Sequence, residues 1–121
     1  MKFLGIDYGR RKIGLAVSDG KLAEPYQVIR YRDWDKMIAH IQRIIEKQKI
    51  EKVVVGISEG EMAKEQNEFA KQFRAETFDE TLSSHDAQVM SIQSGMGRKK
   101  RREMEDAFAA TIMLQSYLDN A

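Results

Sequence analysis

Three carboxylates stand where a folded chain has reason to avoid them. Asp7 closes the apolar run Phe3-Leu4-Gly5-Ile6-Asp7, and in a strand it shares a face with Phe3 and Gly5 because side chains alternate. A half-buried carboxylate is costly unless it is hydrogen-bonded, paired or bound to a cation. Asp7 therefore either accepts hydrogen bonds from the turn at Gly9 to Lys12 or ligates a metal. Asp106 repeats the problem on a helix, since Ala109, Ala110, Met113 and Tyr117 follow it at three, four, seven and eleven positions, along one face. As a first-turn acid it complements the helix dipole, an effect of ~0.3–1 kcal/mol. Glu103 and Glu105 can serve that purpose from the solvent side. Glu80 ends a short strand in Phe78-Asp79-Glu80-Thr81-Leu82-Ser83-Ser84, and adjacent strand ends in one sheet bring it towards Asp7. Converging carboxylates repel unless cations neutralise them, and the hard ions Mg²⁺ and Mn²⁺ prefer such all-oxygen surroundings.

Other chemistries are absent from the composition. There is no cysteine, which removes thiolate nucleophiles, thiolate zinc sites and disulfides together. Of the two histidines, His40 lies beside Ile41 in a helical pattern and reads as structural. His85 reads as a surface or capping residue near a helix start.

Two basic segments border the acids. Arg10-Arg11-Lys12 follows Asp7, and Arg98-Lys99-Lys100-Arg101-Arg102 precedes Asp106. They are either solvated faces or phosphate contacts, which give salt-sensitive and largely sequence-independent affinity. Gly95-Met96-Gly97 suggests a second segment that stays mobile until substrate arrives. Tyr8 is the one obvious stacking candidate, so base readout from a single strand is poorly supported. The formal net charge is only +1. Residues 1–60 nevertheless hold twelve Lys+Arg against eight Asp+Glu, and residues 61–121 eight against eleven. Near-neutrality is what results when phosphate-binding clusters and metal-binding acids share one chain.

The elements that must position these residues are legible by period. Residues 2–8 and 13–19 read as an antiparallel hairpin, and a third strand, Tyr26 to Tyr31, follows the single proline, Pro25. Trp34, Met37, Ile38, Ile41, Ile44 and Ile45 recur at helical spacing behind the N-cap candidate Asp33. Val53-Val54-Val55-Gly56-Ile57 is a strand covered on both faces. Met62 to Phe73 gives a weaker helix, Glu76 to Glu80 a short strand, Ser83 to about Gly95 a short helix, and residues 103–118 a last helix. This order, βββαβαβαα, predicts an α/β fold with a mixed five-stranded sheet, three leading strands antiparallel, flanked by helices on both faces. With 121 residues the expectation is one domain, 1–121, that buries roughly two-thirds of its unfolded surface. Neither a signal peptide nor a run of ~18 apolar residues is present, so a cytoplasmic protein with no membrane partner is expected.

Gly5-Ile6-Asp7-Tyr8-Gly9, continued by Lys12-Ile13-Gly14-Leu15-Ala16-Val17-Ser18-Asp19, resembles the opening signature of the bacterial pre-16S rRNA nuclease family. That family is also described as Holliday-junction-resolvase-like and belongs to the ribonuclease H-like superfamily. The strand Val53 to Ile57, the segment Asp79 to Ser84, and Arg98 to Arg102 followed by Glu105-Asp106-Ala107-Phe108-Ala109-Ala110 match in the same order. The resemblance spans essentially the whole chain. It implies a ribonuclease H-like fold, a nuclease activity directed at precursor rRNA, and Asp7, Glu80 and Asp106 as catalytic acids holding two Mg²⁺ or Mn²⁺ ions. Branched DNA is the alternative substrate, and resolving a four-way junction requires two sites, hence a homodimer. Thr81 stands where the family more often has arginine, Ser58 where proline is common, and the stretch from Ser58 to Met62 is shorter than usual; these departures bear on substrate grip.

Two further classes compete. The Gly5 to Gly9 motif also resembles the phosphate hairpin of sugar-kinase and actin-like ATPases, but those enzymes hold nucleotide between two lobes. There is no Gly-Lys-Ser/Thr sequence, which excludes a P-loop. A non-catalytic RNA-binding assembly factor that keeps the acids for structure is the other.

Overall fold

A computed structural model of the chain describes residues 1–82 and 96–120. The N-terminal hairpin consists of β1 (Phe3–Tyr8) and β2 (Lys12–Ser18), paired antiparallel with Phe3 opposite Ser18 and Asp7 opposite Gly14. β3 (Ala23–Arg30) pairs antiparallel with β2. β4 (Lys52–Ile57) runs parallel to β1, and β5 (Glu76–Asp79) parallel to β4, so the sheet order is β3-β2-β1-β4-β5. The helices are α1 (Trp34–Lys47), α2 (Met62–Lys71), α3 (Arg98–Glu103) and α4 (Glu105–Asp119).

The mixed sheet and leading antiparallel strands match the expectation, while several element bounds and the basic run differ. β3 begins at Ala23 rather than Tyr26 and contains Pro25. An edge strand tolerates that proline because the register slips beside it, between Leu15 and Ala16, where a missing N–H costs little. The basic run is helical rather than loose: Gly97 is the extended N-cap of α3, and Arg101 N–H donates to its carbonyl at 3.0 Å. Lys and Arg are good helix formers once a cap is in place. The last helix starts at Glu105 instead of residue 103. The short helix expected from Ser83, with His85, lies outside the described residues.

The two faces of the sheet differ in side-chain size, and this difference positions the site. Alternation puts Leu4, Ile6, Tyr8, Ile13, Leu15, Val53 and Val55 on one face, where they pack with Met37, Ile41 and Ile44 of α1 and Phe69 of α2. The opposite face presents small residues, Gly5, Gly14, Ala16 and Gly56, together with Val54. α4 lies close over that face, with Ala110, Met113 and Leu114 buried against it. A Cβ on Gly5 would stand 2.7 Å from Leu114 Cβ, so the close helix approach depends on glycine there.

Asp33 caps α1, its carboxylate accepting from Lys36 N–H at 3.0 Å. Replacing it with alanine leaves that donor without its partner, and urea denaturation of the variant is expected to show a loss of about 1 kcal/mol. An unchanged midpoint would mean that packing of Met37, Ile41 and Ile44 alone holds the first turn.

Candidate active site

Asp7 lies near the C-terminal end of β1, the middle strand of the sheet. Its cross-strand partner on β2 is Gly14. On the other side, Ile6 pairs with Val55, so Gly56 is the next residue of β4 alongside Asp7. The aspartate therefore projects from the α4 face with a glycine on each side. Each glycine makes room for another acid. A Cβ on Gly14 would overlap the backbone carbonyl of Asp106 and lie 2.8 Å from Ala107 N, so the first turn of α4 rests on that bare position. A Cβ on Gly56 would lie 2.5 Å from Glu80 Oε1 and 2.8 Å from its Cγ. The Glu80 side chain thus folds back over β4 towards Asp7.

Glu80 reaches this position through a turn, not as the last residue of a strand. β5 stops at Asp79, and Glu80 opens a single 3₁₀ turn through Leu82. Asp79 imposes the stop by accepting from Thr81 N–H at 2.9 Å and Thr81 Oγ1 at 2.7 Å, an Asx-type local bond that competes with the ladder. The same bonds hold Asp79 below the usual carboxylate range. Thr81 thereby fixes the turn that aims Glu80.

The carboxylates sense one another. The Asp7 carboxyl is pushed up from its ordinary 3.8 to about 8, first by burial, then by the charge of Glu80 and a hydrogen bond shared with it, and last by Asp106. Asp7 consequently keeps its proton at neutral pH, with Glu80 beside it. Asp106 is on the rim, its Oδ2 3.4 Å from Lys12 Nζ and its side chain 31% exposed. Among the described residues no three acidic or histidine side chains close round a common point, because Asp106 is turned to Lys12. The donor chemistry fits a divalent cation all the same. Two carboxyls held close enough to keep a proton, in a cradle that a single Cβ would fill, have an all-oxygen ligand set that a cation relieves.

The predicted basic residues take different places. Arg10 turns away from the acids and forms a forked pair with Glu65 of α2, at 2.9 Å through Nε and 2.6 Å through Nη2. Lys12 stays at the site on Asp106. Arg11 is exposed, and its carbonyl accepts from Tyr31 N–H at 3.1 Å. Arg98, Lys99, Lys100, Arg101 and Arg102 are all exposed on α3, which leads directly into the helix carrying Asp106. Gly14, Gly56 and Tyr31 escaped sequence reasoning. Tyr31 Oη donates to the Gly9 carbonyl at 2.8 Å and fixes the turn after Asp7. The glycine signal was present, since Gly14 follows Ile13 in a large-small alternation opposite the aspartate. Ser58 also has a local role: its N–H donates to Gln66 Oε1 at 2.8 Å, a bond a proline cannot make.

A five-stranded mixed sheet of order β3-β2-β1-β4-β5 with helices packed on both faces is the ribonuclease H-like fold. Solved structures agree in fold. Thermus thermophilus RuvC in complex with a Holliday junction superimposes with a TM-score of 0.63 at 14% identity, covering 100% of this chain and 96% of that one. The fowlpox virus Holliday junction resolvase gives 0.66 at 9% identity, covering 100% of both chains. Residues 1–120 match the sequence pattern of the RuvX family, described as Holliday junction resolvase, and the chain belongs to that family. Its relatives include proteins named "Putative pre-16S rRNA nuclease" in Syntrophomonas wolfei, 31% identical over 98% of this chain and 94% of the relative, and in Natranaerobius thermophilus, 34% identical over 98% and 94%.

Proposed function

We propose that the chain is a single-domain, metal-dependent nuclease that hydrolyses phosphodiester bonds in the 5′-end maturation of pre-16S rRNA. The observation that carries this reading is the Asp7–Glu80 pair held between Gly14 and Gly56, with Asp106 at its rim. Two Mg²⁺ or Mn²⁺ ions held by Asp7, Glu80 and Asp106 would supply charge neutralisation at the phosphate and a nucleophilic water at neutral pH. The chain's own groups do the rest. Asp7 would have to give up its proton to ligate a cation, Glu80 is held over β4 by its turn, and Lys12, now on Asp106, could offer its ammonium to a phosphate oxygen. Tyr31 keeps the turn after Asp7 in one conformation. The exposed cations of α3 position the backbone of the substrate beside the acids. Acting on precursor rRNA, the enzyme works in the cytoplasm, where ribosomes are assembled. Among the described residues no helix is long and apolar enough to cross a membrane.

The names of the relatives favour RNA, and the family description favours a second reading, junction cleavage by a homodimer. One assay separates them. The purified chain, stripped with EDTA and resupplied with Mn²⁺ or Mg²⁺, is offered labelled precursor rRNA and a four-way DNA junction. Metal-restored cleavage of the RNA is the expected result. Preference for the junction, together with a dimer in sedimentation, would replace the first reading by the second, and no cleavage of either would return the protein to a binding role.

A further inference from the structure

Three recesses adjoin the edge strand β3. One recess of about 880 Å³ is lined by Arg10, Arg11, Arg30, Tyr31 and Arg32. A second, of about 560 Å³, continues from Arg30 and Arg32 along α1 past Lys36 and Arg43. Arg30 also lines the recess that reaches Glu103 and Met104 at the corner between α3 and α4. It is therefore the residue common to all three surfaces. Its place follows from register: Arg30 is the direct cross-strand partner of Lys12, and Lys12 touches Asp106. A line of cations thus runs from the rim of the acid site across the edge of the sheet.

These cations are not consumed by the fold. Among the described residues the ion pairs engage Arg10, Lys12, Lys52 and Lys71, and Arg11, Arg30, Arg32, Lys36 and Arg43 have no carboxylate within pairing distance. Asp33, the acid in their midst, is committed to the N-cap of α1. An arginine cluster without carboxylate partners keeps its full field available, and the guanidinium fork suits phosphate oxygens.

We infer that Arg30 and Arg32 are the centre of a phosphate-backbone track along the edge of β3, which grips the nucleic acid beyond the segment lying over the acids. This deepens the nuclease reading and rests on it for the identity of the substrate. The ligand chemistry is the phosphodiester backbone itself, RNA or DNA. The track starts at the basic segment 10–12 and reaches, through Arg30, the corner where the helix carrying 98–102 ends.

The test is equilibrium binding of the full chain to labelled RNA and DNA duplexes of one sequence, in EDTA so that no cleavage intervenes, over a range of salt. Arg30→Ala/Arg32→Ala is compared with the wild type and with Lys64→Ala/Lys71→Ala, which removes the same charge from exposed positions on α2. The expected result is affinity lowered roughly tenfold and a log–log salt slope shallower by about 1.8, at ~0.9 for each phosphate no longer neutralised, on both duplexes. The α2 variant is expected to keep the wild-type slope. An unchanged slope in Arg30→Ala/Arg32→Ala, an equal loss in the α2 variant, or a loss on one type of duplex alone would overturn the track. Circular dichroism of each variant checks that the sheet is intact. Because binding is read without metal, failure of the track and failure of the nuclease reading give different results: the first leaves cleavage with an unaltered slope, the second leaves the slope change without cleavage.

Discussion

Replacing Asp7 with asparagine removes cleavage, by a factor of ~10³ or more as expected for loss of a central transition-state stabiliser, and at the same time makes the metal-free protein more stable at pH 8. The two effects have one cause. In the unfolded chain Asp7 ionises near its ordinary 3.8, whereas in the folded chain burial and then Glu80 raise it to about 8. Between those values the native state holds more protons than the unfolded state, so the metal-free wild type loses stability as pH rises across the window and levels off above it. Asparagine cannot ionise and escapes this loss. The gain at pH 8 should be roughly 1–3 kcal/mol, below the full conversion of 1.36 kcal/mol per pH unit, which holds for an isolated group and not for one in contact with a second carboxyl. Urea denaturation of both proteins in EDTA at pH 5 and pH 8 measures it, and adding Mn²⁺ should stabilise the wild type far more than the variant. A variant destabilised at both pH values would assign Asp7 a structural role in the turn at Gly9.

The acids are legible in the sequence for reasons of local chemistry. Asp7 can be found because a carboxylate ending an apolar strand has an unmet requirement, and Asp106 because it heads a stripe of residues that must face the sheet. Neither depends on knowing the tertiary structure. Glu80 is legible too, but its route is not: the bonds from Thr81 to Asp79 end β5 one residue early, and the propensities of the individual residues do not reveal that competition. The basic run at 98–102 reads as loose because flanking glycines signal a break, yet Gly97 serves as the cap that lets α3 form. Arg30 and Arg32 are invisible as a cluster. They are remote in sequence from residues 10–12, and only the β2–β3 register, with its slip beside Pro25, sets Arg30 across from Lys12. Long-range pairing of this kind carries no local signature, whereas the large-small alternation of Ile13-Gly14-Leu15-Ala16 does.

That alternation leads to the second large effect, a contrast between two glycines flanking the same aspartate. Gly14→Ala sets a methyl group against the backbone of Asp106 and Ala107. A backbone in the first turn of a helix cannot swing aside, so α4 must lift from the sheet and disturb the burial of Ala110, Met113 and Leu114. Overpacking of this severity is expected to cost about 3 kcal/mol or more, read as a lowered urea midpoint, and to remove activity with it. Gly56→Ala meets the Glu80 side chain most closely, with Oε1 at 2.5 Å and Cγ at 2.8 Å. A carboxylate at the end of a flexible stem can move, so the fold should lose no more than about 1 kcal/mol. The displaced Glu80 no longer stands beside Asp7, and cleavage should fall on the order of 10²-fold, as for removal of one charge-stabilising group. Metal titration followed by thermal shift then distinguishes the variants: folded Gly56→Ala should bind Mn²⁺ more weakly than the wild type. Full activity in Gly56→Ala would mean that Glu80 works from another position, and the pairing of Asp7 with Glu80 would lose its place in the proposed chemistry.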